Sequence, residues 1–386
     1  MLDTEPRALA AADASDALLD ISIVPGVPRH VDELAARAPD SHRFLRAGWF
    51  CGGKPGSIST LVARRRNDSA SLALPLRVLG PPVFGARALA GSYWPFRSAA
   101  LEDSFALGDM LAILDHPIAQ AAIGPLLRLG PVYETDRLAM LLVDAAKAKG
   151  WGVLCRSMGR SFIQNVDSPE GSAVWPSKPR RKKIRKLHAR LEKLGSVTVR
   201  IVRGASWSLP VFHDLAQIEA RSWVGTRTDR SGAKFLNIDM LEHWQRVVKD
   251  PVLADMLAAT ILYVGDHPVA FSLDLTTGTL QYGIASSYDE AFATYSPGQI
   301  VNLQAIDDGV GRGVRRIDWG AGDSGYKREI GAVPGPAIHD FLIVRNRLLA
   351  ALLRPKWEGT GLPASMRFFA CLAALSVVAV MVFIWA

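Results

Sequence analysis

Cysteine is scarce in this chain: three among 386 residues, at Cys51, Cys155 and Cys371, with no Cys-x-x-Cys. That excludes a disulfide framework or a cysteine-based zinc site as the organising device and suits a reducing compartment. The eight histidines are scattered, without His-x-x-x-His or a Glu-flanked pair, so no metal is expected. The opening Met-Leu-Asp-Thr-Glu-Pro-Arg has no basic stretch followed by an apolar one, so no secretory signal is expected. Charge is modest at 21% against 49% apolar residues, which excludes global disorder and allows a large core. Acidic residues are in deficit, 37 against 45 basic ones, for a net charge of +8. An anionic partner or surface follows, of unspecified kind.

What the chain does contain begins with a strand–loop–helix–strand–loop pattern from Gln281 to Gly331. Ser296 stands three residues before Gln299, the capping-box spacing, and Pro297 falls at the first helical position. Tyr295 and Ile300 are placed for a hydrophobic staple, and Gly298 keeps bulk off the first turn. The unpaired N–H groups of such a turn can hold an anion. Ile317-Asp-Trp-Gly then reads as a strand running into the Gly-rich loop before Tyr326-Lys327.

Upstream, residues 1–40 read as a loose N-terminal segment with one short strand at Ile21–Val24. Strands are predicted at Ser57–Ala63 and Leu72–Leu79, helices at Asp103–Leu114 and Thr135–Lys149, and short strands at Val153–Cys155 and Ser161–Val166. Lys178–Lys193 is the densest basic run, and Ile184, Leu187, Leu191 and Leu194 recur at helical spacing within it. It is therefore an amphipathic helix with either a merely solvated basic face or an anion-binding one. A strand at Ser196–Val202 and helices at Leu209–Trp223 and Ile238–Lys249 precede a meander of Met256–Val264, His267–Leu275 and Thr279–Ala285. Pro336–Val344 reads as a last strand. Residues 368–386 carry no charge and would span ~28 Å as a helix, close to a bilayer core. Arg345, Arg347, Arg354, Lys356 and Arg367 precede them, which places the folded body on the cytoplasmic side of a single-pass inner-membrane anchor.

Glu219-Ala-Arg-Ser-Trp223-Val-Gly225, Gly265-Asp-His-Pro-Val-Ala270, Tyr288-Asp-Glu, Ser296-Pro-Gly, Asp318, Gly322 and Tyr326-Lys327 occur in one order over Lys178–Gly331. As a set they resemble the acetyltransferases of the CelD/BcsL group, associated with cellulose and exopolysaccharide synthesis. The resemblance implies a GNAT-like α/β (α+β) fold and, through the related Fem-type aminoacyl transferases, two tandem GNAT-like domains with mixed twisted sheets, followed here by a C-terminal transmembrane helix. The corresponding division is 41–177 and 178–350, then a basic linker 351–367 and the anchor 368–386. At the pyrophosphate loop the chain departs from the pattern Gln/Arg-x-x-Gly-x-Gly/Ala, offering only Ser296-Pro-Gly-Gln299.

The resemblance implies acyl transfer from acetyl-CoA or another acyl-CoA to a sugar or envelope precursor, with inner-membrane lipid as the other partner. Ser296, Pro297, Gly298 and Gln299 are the expected donor-binding residues. Asp318 and Asp323 are candidate bases or substrate ligands and Tyr326 a candidate proton donor to the leaving thiolate. Glu219, Trp223 and Lys327 are candidates for substrate binding. A backbone N–H near Tyr282–Ala285 is the expected oxyanion donor. Two alternatives stand beside this: an aminoacyl-tRNA-dependent transferase, whose basic helix would meet the tRNA backbone, and a catalytically inactive GNAT-like scaffold for polysaccharide machinery.

Overall fold

The computed structural model describes residues 19–51, 57–65, 70–166, 176, 178–230, 232–322 and 325–359. Asp323 and the apolar stretch 368–386 lie outside them. Among the described residues no helix is long and apolar enough to cross a membrane.

The first half runs β1 (Asp20–Pro25), α1 (His30–Arg37), α2 (Ala47–Phe50), β2 (Ile58–Arg64), β3 (Ala70–Val78), β4 (Arg87–Leu89), α3 (Leu107–Asp115), α4 (Pro117–Ile123), β5 (Leu126–Tyr133), α5 (Arg137–Ala148) and β6 (Gly152–Asn165). The second half begins with the basic helix α6 (Lys178–Leu191), then β7 (Val197–Val202), α7 (Leu209–Arg221), α8 (Trp223–Arg227), α9 (Ile238–Val247) and α10 (Pro251–Met256). The meander β8 (Leu257–Val264), β9 (His267–Thr277) and β10 (Leu280–Tyr288) leads to α11 (Pro297–Gly311), β11 (Arg316–Ala321), α12 (Tyr326–Glu329), β12 (Val333–Val344) and α13 (Arg347–Trp357).

All the strands join one sheet of twelve, in the order β1-β2-β3-β4-β5-β12-β6-β11-β10-β9-β8-β7. Two separate sheets were expected; the difference comes from an exchange. The last strand of each half lies in the other half's territory: β12 pairs with β5, and β6 pairs with β11, while β12 and β6 pair with each other. Outward from that central pair the order of relations is the same on both sides. A parallel pair (β4 with β5, β10 with β11) is followed by antiparallel neighbours to the edge.

Three further expectations are corrected. The stretch around 20–37 is built into the sheet edge and its covering helix: Ile21 and Leu34 are buried. The two short strands after Gly150 are one strand of fourteen residues, β6. The first part of the expected basic linker continues α13 to Trp357, with Leu353 and Trp357 buried; Arg345, Arg347 and Arg354 are engaged with Gln120, Gly150 and Glu358 of the folded body.

Side chains alternate across a strand, so each strand feeds two cores. On one face, α1, α2, α7, α9 and α10 cover a core that includes Phe44, Trp49, Phe96, Trp244, Phe271 and Tyr282, and α13 extends it over Ala88, Leu154 and Leu342. On the other face, α3, α4 and α5 cover Leu72, Leu74 and Leu129, while α6 and α11 cover Leu262 and Ala270. The halves are clamped through the first of these cores. Trp49 packs edge-on against Trp244 at 5.8 Å, and Arg46 Nε donates to Asp250 at 3.0 Å.

Candidate active site

The site begins with two parallel strands that part. β10 and β11 share register for only three pairs, Leu280–Tyr282 against Arg316–Asp318, while the other edge of β11 pairs with β6 from Arg316 onward. β10 carries a bulge between Gly283 and Ala285, so Ile284 has no register partner on β9. A bulge re-aims backbone groups, and this one lies on the wall of the opening. α11 crosses above it. The result is a cavity of about 580 Å³ whose walls come from Gly283, Ala285 and Ser286 of β10, Trp319 of β11 and Leu303 and Ile306 of α11. From the opposite face Trp94, a first-half residue, closes the floor: its Nε1 donates to the Gly283 carbonyl at 2.9 Å and its ring lies where a Gly320 Cβ would stand.

Of the residues singled out from the sequence, Ser296, Gly298, Gln299, Trp223, Tyr326 and Lys327 line this cavity. Pro297 is buried at the start of α11 and does not line it. The expected capping box is absent: Ser296 adopts a left-handed conformation (φ 51°) and its side chain makes no capping bond. Tyr295 and Ile300 do pack in one cluster. The Ser296 N–H is taken by the Ala293 carbonyl and that of Gln299 by Ser296 O, both at 3.0 Å. Proline has no N–H, so Gly298 supplies the turn's one N–H donor without a partner among the described residues.

Asp318 is not brought to the cavity. Ile317 and Trp319 point toward α11, so Asp318 points to the other face, beside Tyr282. There it accepts hydrogen bonds from Tyr133 Oη and the Gly320 N–H, both at 2.8 Å, and burial raises its pKa. Glu219 is likewise elsewhere. Its buried carboxylate accepts from the N–H groups of Lys234, Phe235 and Leu236 at 2.7–2.9 Å, which fixes the loop before α9. Lys327 reaches the cavity wall with its Nζ committed inward, donating to the carbonyls of Gly320 and Ala321 at 2.9 and 2.8 Å. It ties α12 to the end of β11. Tyr326 is 39% exposed, stands edge-on to Trp319 at 6.5 Å, and has its phenol pKa raised by burial. It stays protonated at neutral pH and can donate.

Sequence reasoning missed a buried acid beside this cavity. Ser272 lines the cavity, and its Oγ donates at 2.8 Å to Oδ2 of Asp274, two residues along the same face of β9. Burial pushes the Asp274 pKa up to about 7, and its charge is felt at Tyr326. Gln281 lies alongside, but neither its amide nitrogen nor Asp274 Oδ1 is in hydrogen-bonding geometry. The signal was present: Val269-Ala-Phe-Ser-Leu-Asp-Leu275 is an apolar strand interrupted by one acid. Arg180 of α6 was a second omission; it lines the cavity and donates to the Glu329 carbonyl at 2.7 Å. Among the described residues no cluster of three or more His, Cys, Asp or Glu could hold a metal ion.

A parallel pair that parts beside a bulge, under a helix start, leaves an open cavity between the strands. Residues 178–328 match the family model described as the acetyltransferase (GNAT) domain. Residues 178–328 thus carry a GNAT-type acetyltransferase domain, and the protein is an acyltransferase. Among solved structures, FemX is 12% identical with a TM-score of 0.58 over 86% of this chain and 100% of its own. The C-terminal domain of a putative lysylphosphatidylglycerol synthetase from Agrobacterium fabrum is 10% identical, with a TM-score of 0.51 over 85% of this chain and 94% of that one. L-PGS from Bacillus licheniformis is 13% identical, with a TM-score of 0.50 over 86% and 97%. These likenesses establish the fold. No curated protein sequence matches.

Proposed function

We propose that this protein transfers an acyl group from a CoA thioester to an amine or hydroxyl of a sugar-containing polysaccharide or envelope precursor, held at the cytoplasmic face of the inner membrane by residues 368–386. The observation that carries the reading is the cavity where β10 bulges away from β11, with Ser272–Asp274 and Tyr326 on its walls. The acceptor's lone pair forms a bond to the thioester carbonyl carbon. The carbonyl oxygen becomes an oxyanion opposite the backbone N–H groups of the bulge. The acceptor's proton passes to Ser272 Oγ as that hydroxyl's own proton passes to Asp274. Collapse breaks the carbon–sulfur bond, and Tyr326 protonates the departing thiolate. A carboxyl whose pKa lies near 7 suits a base at neutral pH. Gly298 N–H and the cations of α6 are the groups available to the donor's phosphates.

An aminoacyl-tRNA donor is the second reading, favoured by one observation. The helix start offers a single N–H, while Lys182, Lys183, Arg185 and Lys186 of α6 are all exposed and Arg190, at the end of α6, lies over the Tyr295 ring just before that start. Calorimetry of the full chain with acetyl-CoA and with tRNA separates the two. Saturation by acetyl-CoA, together with release of free thiol when amino sugars are offered, supports the first. Salt-sensitive binding of tRNA without CoA binding moves the assignment to the second. Binding of neither overturns both donor readings.

A further inference from the structure

On the face of the sheet opposite the acyl cavity, four arginines converge on one carboxylate. Arg77 on β3 lies opposite Ala88 on β4, which lies opposite Arg128 on β5; Asp340 on β12 lies opposite Arg156 on β6. Cross-strand neighbours share a face. Asp340 is fully buried and holds two of the arginines as forks. It accepts from Arg128 Nε and Nη2 at 3.2 and 2.9 Å, and from Arg156 Nε and Nη2 at 3.1 and 2.6 Å. The Arg156 guanidinium also lies 4.3 Å from the ring of Trp357, at the end of α13.

The other two have no carboxylate partner among the described residues. Arg97, on the segment that follows β4, donates Nε to the Gly91 carbonyl at 3.2 Å and lies over the Tyr93 ring at 6.0 Å. The Arg77 side chain makes no hydrogen bond or ion pair among the described residues. Arg77 and Arg97 thus bring two further positive charges beside the two that Asp340 already holds. Burial and the charges of Arg77 and Arg128 push the Arg97 pKa down to about 10, and burial lowers that of Arg77. Grouping like charges at a partly buried spot opposes folding unless an anion joins them. Tyr93, 42% exposed, marks the side open to solvent.

We propose that Arg77, Arg97, Arg128 and Arg156, with Tyr93 at the rim, form a second binding site, separate from the acyl cavity, for a phosphate-bearing group. Arg128 and Arg156 turn their Nε and Nη2 edges to Asp340, so it is the N–H groups of Arg77 and Arg97 that answer the planar, bidentate demand of phosphate oxygens. Asp340 is the orienting part, and Arg77 and Arg97 are the ones whose charge the ligand meets. The phosphate could sit on a soluble ester or on a lipid headgroup.

The test uses the full chain at fixed ionic strength: in a non-ionic detergent with inorganic phosphate and glucose 6-phosphate against chloride, and, after detergent removal, with phosphatidylglycerol vesicles against phosphatidylcholine vesicles. Phosphate is expected to raise the melting temperature by several degrees at saturation. Arg77→Gln and Arg97→Gln are each expected to weaken phosphate binding ~tenfold or more while raising the melting temperature of the ligand-free protein, because a like charge is removed. Tyr326→Phe should leave phosphate binding unchanged. Arginine-dependent binding of glucose 6-phosphate alone assigns a soluble ester, and arginine-dependent retention on phosphatidylglycerol vesicles assigns a headgroup. No phosphate shift beyond the chloride control, or a shift that survives both substitutions, overturns the site.

Discussion

The two halves of this molecule have the same order of strands and put it to different use. In the second half β10 continues to Tyr288 after leaving β11, and its bulge widens the gap into a cavity. In the first half β4 stops at Leu89 after two register pairs with β5, and the chain folds over the sheet, with the Arg97 N–H on the Pro131 carbonyl. That fold-over carries Trp94 beneath the cavity of the second half and Arg97 among the arginines. A repeated topology thus yields one open site and one supporting body, because a short strand in the first half frees a segment to brace the second. The exchange of β6 and β12 makes the division one of roles within a single sheet.

The comparison breaks first at Asp274, which has no counterpart in the arginine-rich half. A buried aspartate with a pKa near 7, against about 4 when unfolded, binds its proton more tightly in the folded state. Stability therefore falls as pH rises from about 4 to about 7 and stays low above that. Asp274→Asn is expected to melt several degrees higher than wild type at pH 8 while kcat falls ~100-fold or more. Thermal melts and thiol release read both. Undiminished turnover would remove the base from the proposed mechanism.

How much of this was legible follows from which residues carry the information. The meander could be read because Gly265 and Gly278, at φ 59° and 55°, sit in tight turns between alternating strands. Trp223, Tyr326 and the 296–299 turn could be placed near one another because helix and strand order bring them to one end of β10. The insertion of β12 between β5 and β6 could not be read, since the pattern of Val333–Val344 does not encode its partners. Asp318 was misplaced for a simpler reason. Alternation separates it from Ile317 and Trp319, but which of the two faces holds the cavity depends on the side that α11 covers.

The next test sharpens the bracing role. Gly320 has φ 77°, and any side chain there would run into the Trp94 indole. Gly320→Ala is expected to cost about 2–3 kcal/mol of stability from backbone strain and overpacking together. Combining it with Trp94→Phe should recover part of that loss, a coupling read by denaturant melts of the four chains in the cycle. Strict additivity would mean that the first half does not brace the opening through this residue. Tyr326→Phe is smaller again: kcat down ~tenfold with KM unchanged, because the phenol acts on the leaving group rather than on binding. Equal kcat would leave the thiolate to be protonated from solvent.

The smallest effect tests the seam between the halves. His243 on α9 is buried against Trp49 of α2, ring centroids 5.9 Å apart, and its Nε2 has no hydrogen-bond partner among the described residues. Burial, with Arg246 and Lys234 adding repulsion, pushes its pKa down to about 4, whereas the unfolded imidazole titrates near 6.5. The unfolded chain thus binds the extra proton first as pH falls, so the stability present above pH 6.5 is lost progressively toward pH 4. The loss at pH 5 is expected to be about 1–2 kcal/mol, expressed as loosening where α2 meets α9. His243→Gln, which cannot take up a proton, should flatten the melting-temperature profile between pH 7 and 5 relative to wild type. Parallel profiles would place the acid sensitivity of the junction on some other group.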